Sequence, residues 1–471
     1  MIFRIFVIAI LYFAILCAAT VPSETCSLVI RRSTDSRVTK FSYSDIMSRD
    51  ENLLWGVSDL FTEKTLEDIL RGVSKARDVK VLSWDFGEAS NKGDSYLSTV
   101  NRVKVKGEAN GKPVETSLVV KSLPRNIARR KSFRSAEFFR NEIAFYVDIY
   151  PKFREFLKSK GHNEVLNVPR CLAAVSDGEN DFIALEDVSV HGFGPVTRQS
   201  TLTFAENGQI LKALARFHAV SFAYKDQRDD FKSLSDKLNE TYYSPAHYDW
   251  YEVFQGALFR IAKDALAKEY GGTKAEEVFN AQSRKDMFDI SSKFCARKDA
   301  PTSVITQGDA WASNFLIRRG KDGNDVALAL DFQLARCSSP VLDISFCIYS
   351  CTEKSLRDEH YDDLLRIYHK ELSDTISLLG SDPQKIYPWD VFMKEVQEQC
   401  IFGLNFALEA IPLSLLDSSE AFDLDQIKGD EKINISEAWP VKNIKSKEGR
   451  LRLADAIAHA VERNYFSNLS N

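Results

Sequence analysis

The sequence predicts an α+β fold in two lobes: an N-terminal antiparallel sheet carrying one helix, then a larger, mainly helical C-terminal lobe. Three observations predict it. Three β-prone runs, VKVLSWDFGEAS (79–90), SYLSTVNRVKVKG (95–107) and VETSLVVKSLP (114–124), follow one another across turn-forming GDS and NGKP. From Leu202 onward the apolar residues recur at helical spacing almost without interruption. The interruption is one hairpin, TQGDAWASNFLIRRGKDGNDVALALDFQ (306–333), with polar and acidic residues at its open end.

The chain has 471 residues, enough for two or three domains or one large two-lobed molecule. A hydrophobic content of 44% and a charged content of 27% are those of a folded globular protein. The formal net charge of −5 gives no reason to expect nucleic acid as a partner.

Residues 1–19 hold one early cation, Arg4, an apolar run from Ile5 to Ala19, and small residues at Cys17, Ala18 and Ala19. That is the layout of a cleaved secretory signal, with a short hydrophobic anchor as the other reading; no stable membrane span is expected in the mature chain. The expected location is the secretory pathway or outside the cell, with the cytoplasm as the alternative. Sequons at Asn239, Asn434 and Asn468 suit the first. The eight cysteines show no CxxC pair and no disulfide framework, and Cys347 and Cys351, one helical turn apart, read as core.

Residues 20–75 form an N-terminal helical extension whose clearest element is the amphipathic FTEKTLEDILRG (61–72). Residues 76–188 make the sheet lobe: the three strands above, the helix AEFFRNEIAFYVDIYPKF (136–153), then two strands, RCLAAVSDG and FIALEDV. Residues 189–471 form the helical lobe, with LTFAENGQILKALARFHAVSFAY, PVLDISFCIYSC, SLRDEHYDDLLRIYHKELSDTI and LRLADAIAHAVERNYF as its clearest helices. There are no internal repeats and no long low-complexity linker.

The hairpin carries the chemistry. Antiparallel pairing of FLIR with VALA brings Asn314 and Asp331 to the same edge, with Asp309 in the loop just before them. Asp309 and Asn314 stand at the D-x-x-x-x-N spacing of a kinase catalytic loop, and Asp331 opens a D-F-x triplet. In that chemistry Asp309 orients the attacking hydroxyl, while Asn314 and Asp331 are the Mg²⁺ ligands. Mg²⁺ asks for few protein oxygens because water and phosphate complete its shell.

Upstream, Lys121 ends a strand and Glu142 sits on the next helix, the order of the phosphate-facing lysine and its glutamate partner. The turn GEASNKGDSYLS offers backbone near Gly93 and the Ser98 hydroxyl to phosphate oxygens; taken alone it is a polar hairpin turn. ALEDV (184–188) runs where a hinge between lobes would lie, its backbone facing adenine and Glu186 and Asp187 facing ribose or solvent.

These stretches together resemble the ecdysteroid kinase-like (CHK kinase-like) family of the choline and aminoglycoside kinase superfamily. The resemblance covers roughly residues 75–420 and rests on KGDSYLSTVNRV, VVKSLP, FFRNEIAFY, ALEDV, LARFHAVSFA, QGDAWASNFLI and DFQLARCSSPVLDISF, in family order. It implies a protein-kinase-like fold and ATP- and Mg²⁺-dependent phosphorylation of a hydroxyl on a small molecule, ecdysteroid-like or another small alcohol. It also implies that Asp343 braces the catalytic loop, with His218 on the helix packed beneath.

One position departs from the family pattern His-Gly-Asp-x-Trp: Gln307 stands in the histidine's place. Glutamine still donates and accepts hydrogen bonds but carries no charge. An active small-molecule kinase is therefore expected, the alternative being a degenerate kinase fold that binds nucleotide or a small ligand without turnover. A protein kinase is disfavoured, because no A-P-E element follows DFQ. Trp311 and the aromatics Tyr242, Tyr243, Tyr248, Trp250, Tyr251 and Phe254 have two readings, walls of an acceptor pocket or packed core. Neither the acceptor nor the oligomeric state is written in the sequence.

Overall fold

The computed structural model describes residues 49–88, 97–196, 201–323, 325–416, 424–438 and 440–470. The apolar N-terminal run and Gly93 lie outside these residues. Among the described residues, no helix is long and apolar enough to cross a membrane.

Five strands make the N-terminal sheet: β1 (Val79–Glu88), β2 (Thr99–Ala109), β3 (Lys112–Ser122), β4 (Cys171–Val175) and β5 (Phe182–Glu186). Their order is β1-β2-β3-β5-β4, and every pairing is antiparallel. Strand periodicity divides the residues of β3 between two faces. Leu118 and Val120 join a core with Val81, Val103 and Val105, closed over by Leu66, Ile69 and Leu70 of the helix Glu63–Ser74. Lys121 therefore faces the other way, towards the helix Ser135–Ala144 that carries Glu142.

That helix does not run on as a regular α-helix to residue 153. Phe145–Ile149 form a π-helical turn before an α-helix resumes at Tyr150–Lys160. A π turn widens the helix by one residue, a change that apolar spacing does not reveal. Here it sits where Phe145 stacks on Phe332, centroids 3.7 Å apart and planes 7° from parallel. Phe332 also contacts Phe217 of the long helix Phe204–Gln227, so one aromatic ring joins the Glu142 helix to the helical part of the chain.

The helix Phe204–Gln227 begins with a reciprocal cap. Thr203 Oγ1 accepts from the Glu206 amide, and Glu206 Oε2 accepts from the Thr203 amide. It packs along the helix Lys354–Leu378. The helices Val341–Cys351 and Ile401–Ser414 pack closely on each other. Cys347 and Cys351 are buried free thiols in the first of these.

Two short antiparallel ladders interrupt the helices. β7 (Val304–Thr306) pairs with β10 (Arg336–Ser338), and β8 (Phe315–Arg318) pairs with β9 (Val326–Ala329), with β6 (Gly194–Pro195) at its edge. Thr306 lies opposite Arg336, and Phe315 opposite Ala329. The segments 307–314 and 330–335 are thereby held side by side between the ladders. This is the α+β arrangement expected from the sequence.

Gly403 marks the closest approach of the two packed helices. A Cβ there would lie 2.2 Å from the Ser345 carbonyl carbon and 2.4 Å from its oxygen, atoms of backbone that cannot turn aside. Gly403→Ala is expected to force the helices apart and cost about 1–3 kcal/mol, read as a lower midpoint in chemical denaturation. An unchanged midpoint would contradict this packing.

Candidate functional site

The loop after β7 is fixed by one carboxylate. Asp343, buried at the start of the helix Val341–Cys351, accepts from the Gln307 amide at 2.7 Å and the Gly308 amide at 2.9 Å. His218 Nε2 lies 3.1 Å from the same carboxylate and Nδ1 2.9 Å from the Tyr368 hydroxyl. An ionised carboxylate only accepts, so Nε2 donates to it, and Nδ1 shares a hydrogen bond with the tyrosine hydroxyl. Gly308 has φ +87°, and a Cβ would fall 1.8 Å from Leu334 O, so only glycine fits.

Gln307 is fully buried. Its Oε1 accepts from the Asp309 amide at 2.8 Å, and its Nε2 donates to Leu330 O at 2.9 Å and Asp331 O at 2.8 Å. One neutral side chain thus ties the backbone at Asp309 to the backbone at Asp331. Asp331 itself has φ +57°, a conformation aspartate adopts at a cost and only where its surroundings hold it.

Asn314 ends the loop. Its Nδ2 donates to Asp309 Oδ2 at 2.8 Å and Asp309 O at 2.9 Å, so its side-chain oxygen takes no part in holding Asp309. The Leu330 amide donates to Asn314 O at 2.8 Å, closing the hairpin behind the site. Burial pushes the Asp309 carboxyl up to about 7, the nearby Asp331 charge adds to the rise, and the Asn314 amide opposes it.

The sheet supplies the rest. Lys121 Nζ lies 2.6 Å from Glu142 Oε2 and 3.1 Å from Asp331 Oδ1. Burial alone would depress the ammonium, but the Asp331 and Glu142 charges outweigh it and hold its pKa above the usual lysine range. Burial raises Glu142, and the ammonium beside it opposes the rise. The Lys121 contact with Asp331 Oδ1 is an ion pair without hydrogen-bond alignment, so this buried oxygen has a charge nearby but no donor.

Asp309, Asn314, Asp331, Lys121 and Glu142 therefore converge in space. Ser98 is buried at the same cavity and its carbonyl accepts from Arg129 Nη2 at 3.2 Å. The side chains of half-buried Glu186 and buried Asp187 are both engaged by arginines. Glu186 pairs with Arg170 at 2.6 Å, and buried Asp187 pairs with Arg102 at 2.7 Å and accepts from the Ser189 amide. Their own amides donate to Arg170 O and Ser117 O. The arginines that claim these side chains come from outside the strand, where a local reading of ALEDV does not reach.

A cavity opens beside Asp309, Asn314 and Asp331, walled by Phe133, Phe138, Trp250, Trp311 and Phe406. Trp311, Tyr242 and Trp250 line it, whereas Tyr243, Tyr251 and Phe254 are buried core. Three supporting residues escape a reading of the sequence. Asn141, next to Glu142, donates to Gln333 O and Ala335 O and accepts from the Asn239 amide, fixing the helix to the Asp331 segment. Arg336 pairs with Glu240 at 2.6 Å and donates to Gly308 O at 3.3 Å. Glu409 lines the cavity, and a lone acid in the apolar run IFGLNFALEAIPLSLL is the signal the sequence carries for it.

A sheet-borne lysine–glutamate pair over a braced Asp–Asn loop and a D-F-x aspartate is the layout of a small-molecule kinase. The chain belongs to the ecdysteroid kinase-like family, whose model matches residues 92–381. Comparison with curated proteins finds no match. Solved structures that it resembles include an ethanolamine kinase from Plasmodium vivax, at 10% identity over 81% of this chain and 83% of that one, TM-score 0.37. A GDP complex of wild-type aminoglycoside 2'-phosphotransferase-IIIa matches at 13% identity over 84% and 99%, TM-score 0.33. A microcompartment-associated aminopropanol kinase matches at 12% over 85% and 98%, TM-score 0.33.

Gln307→Ala would leave Leu330 O, Asp331 O and the Asp309 amide unpartnered in a buried place. It is expected to cost about 2–4 kcal/mol in denaturant unfolding. A loss below the error of the measurement would show that the side chain is not the brace.

Proposed function

We propose that this chain transfers the terminal phosphoryl group of ATP to a hydroxyl of a small molecule, with Mg²⁺. The observation that supports it most is the convergence of Lys121, Glu142 and Asp331 with the Asp309–Asn314 pair at one apolar-walled cavity. An ecdysteroid-like or other small apolar alcohol suits such walls.

The residues fit the metal and nucleotide. Asp331 Oδ1 is a buried oxygen without a donor, and the Asn314 carbonyl oxygen is turned from its own amide's work on Asp309. Among the described residues no group of three or more His, Cys, Asp or Glu could hold a metal by itself. Two oxygen ligands suit an ion that arrives with phosphates and keeps its waters. Bound there, Mg²⁺ would neutralise charge on the phosphate oxygens.

Lys121, kept charged by its two acids, would hold phosphate oxygens by Coulomb attraction, with Glu142 setting its direction. Asp309 would accept a hydrogen bond from the acceptor hydroxyl, aim its oxygen at the phosphorus, and take its proton. A carboxyl with a pKa of about 7 is well matched to that exchange at neutral pH. Asn314 holds Asp309 in place through both hydrogen bonds of its amide.

Asp309→Asn is expected to lower phosphoryl transfer by about 10³-fold or more while nucleotide affinity stays within a few-fold. Asp331→Ala is expected to weaken Mg·ATP binding itself. Titration calorimetry with a non-hydrolysable ATP analogue separates the two, and full activity in either variant would sink the mechanism.

A further inference from the structure

The cavity beside Asp309 is apolar on most sides, yet it holds a carboxylate that the phosphoryl chemistry does not use. Glu409 comes from the helix Ile401–Ser414, far in sequence from the hairpin. Its Oε2 accepts from the Tyr242 hydroxyl at 2.6 Å and the Tyr251 hydroxyl at 3.2 Å. Among the described residues no donor addresses Oε1, and the open side of the residue gives onto the cavity.

Nothing among the described residues lining the cavity offsets this charge. Its acids are Asp309, Asp331 and Glu409, and no described lysine, arginine or histidine lines it. Asp331 has Lys121, and Asp309 has the Asn314 amide. Glu409 has the two phenol hydroxyls, both on one oxygen. A half-buried carboxylate with one oxygen engaged and the other facing a cavity of aromatic rings is a ready acceptor for a donor that enters it. Burial accordingly pushes its pKa up to about 7, against the pull of the two tyrosines.

Resting on the kinase reading above, we propose that Glu409 is the residue that selects the acceptor. The acceptor would be an apolar alcohol with a second hydrogen-bond donor at its far end: the reacting hydroxyl at Asp309, the second donor on Glu409 Oε1. Both carboxylates line the same cavity, so a single molecule seated in it can meet both. The aromatic and aliphatic walls between would take the apolar frame. An anionic acceptor is disfavoured by three carboxylates and no base.

The probes are linear alcohols of graded length ending in a methyl, hydroxyl or ammonium group, with a non-hydrolysable ATP analogue and Mg²⁺ for binding and ATP for transfer. At one length the hydroxyl- or ammonium-ended probe should bind on the order of tenfold more tightly than the methyl-ended one. Glu409→Gln keeps an acceptor for both tyrosines. It should abolish a preference for ammonium and weaken one for hydroxyl several-fold, which tells the two donors apart, while affinity for the ATP analogue is unchanged. No preference at any length in the natural protein, or a preference untouched in Glu409→Gln, would overturn the inference. A Glu409-dependent binding preference without phosphorylated product would uphold it and overturn the kinase reading instead.

Discussion

The site depends on the hydrogen bonds that Asp343 accepts from the Gln307 and Gly308 amides. These two bonds hold the loop after β7 against the helix Val341–Cys351, at a point where Gly308 takes a backbone conformation closed to other residues. A buried carboxylate has to be fully engaged to be tolerated, and His218, itself held by Tyr368, supplies the third donor. With this anchor in place, β7 and β10 can only deliver Asp309 and Asp331 to neighbouring positions.

Gln307 then ties the two ends of the site together. Its amide uses both donors and its acceptor, joining the Asp309 amide to the Leu330 and Asp331 carbonyls. Nothing in that set asks for a positive charge. The glutamine gives a brace with each of its polar atoms matched, and the positive-φ Asp331 sits inside it.

Much of this is legible in the chain because it is encoded locally. The D-x-x-x-x-N spacing, the GKDGND turn and the alternation in β3 each fix a direction over a few residues, so Asp309, Asn314, Asp331 and Lys121 can be placed from the sequence alone. The rest is set by partners remote in sequence. Arg102 and Arg170 pair with Asp187 and Glu186, and the π turn at Phe145–Ile149 lies where Phe145 stacks on Phe332. Glu409 lies 78 residues beyond Asp331, on a helix whose apolar pattern reads as core. Gln307 is visible as a departure, but whether it silences the loop depends on which carbonyls its amide reaches.

That question has a direct measurement: the rate of phosphoryl transfer by Gln307→His beside the natural protein, on any alcohol the natural protein phosphorylates. If the glutamine already completes the brace, restoring the histidine leaves the rate within about tenfold. A gain of about a hundredfold or more would mean that the natural loop is crippled and that the hydrogen bonds of Gln307 do not replace the histidine.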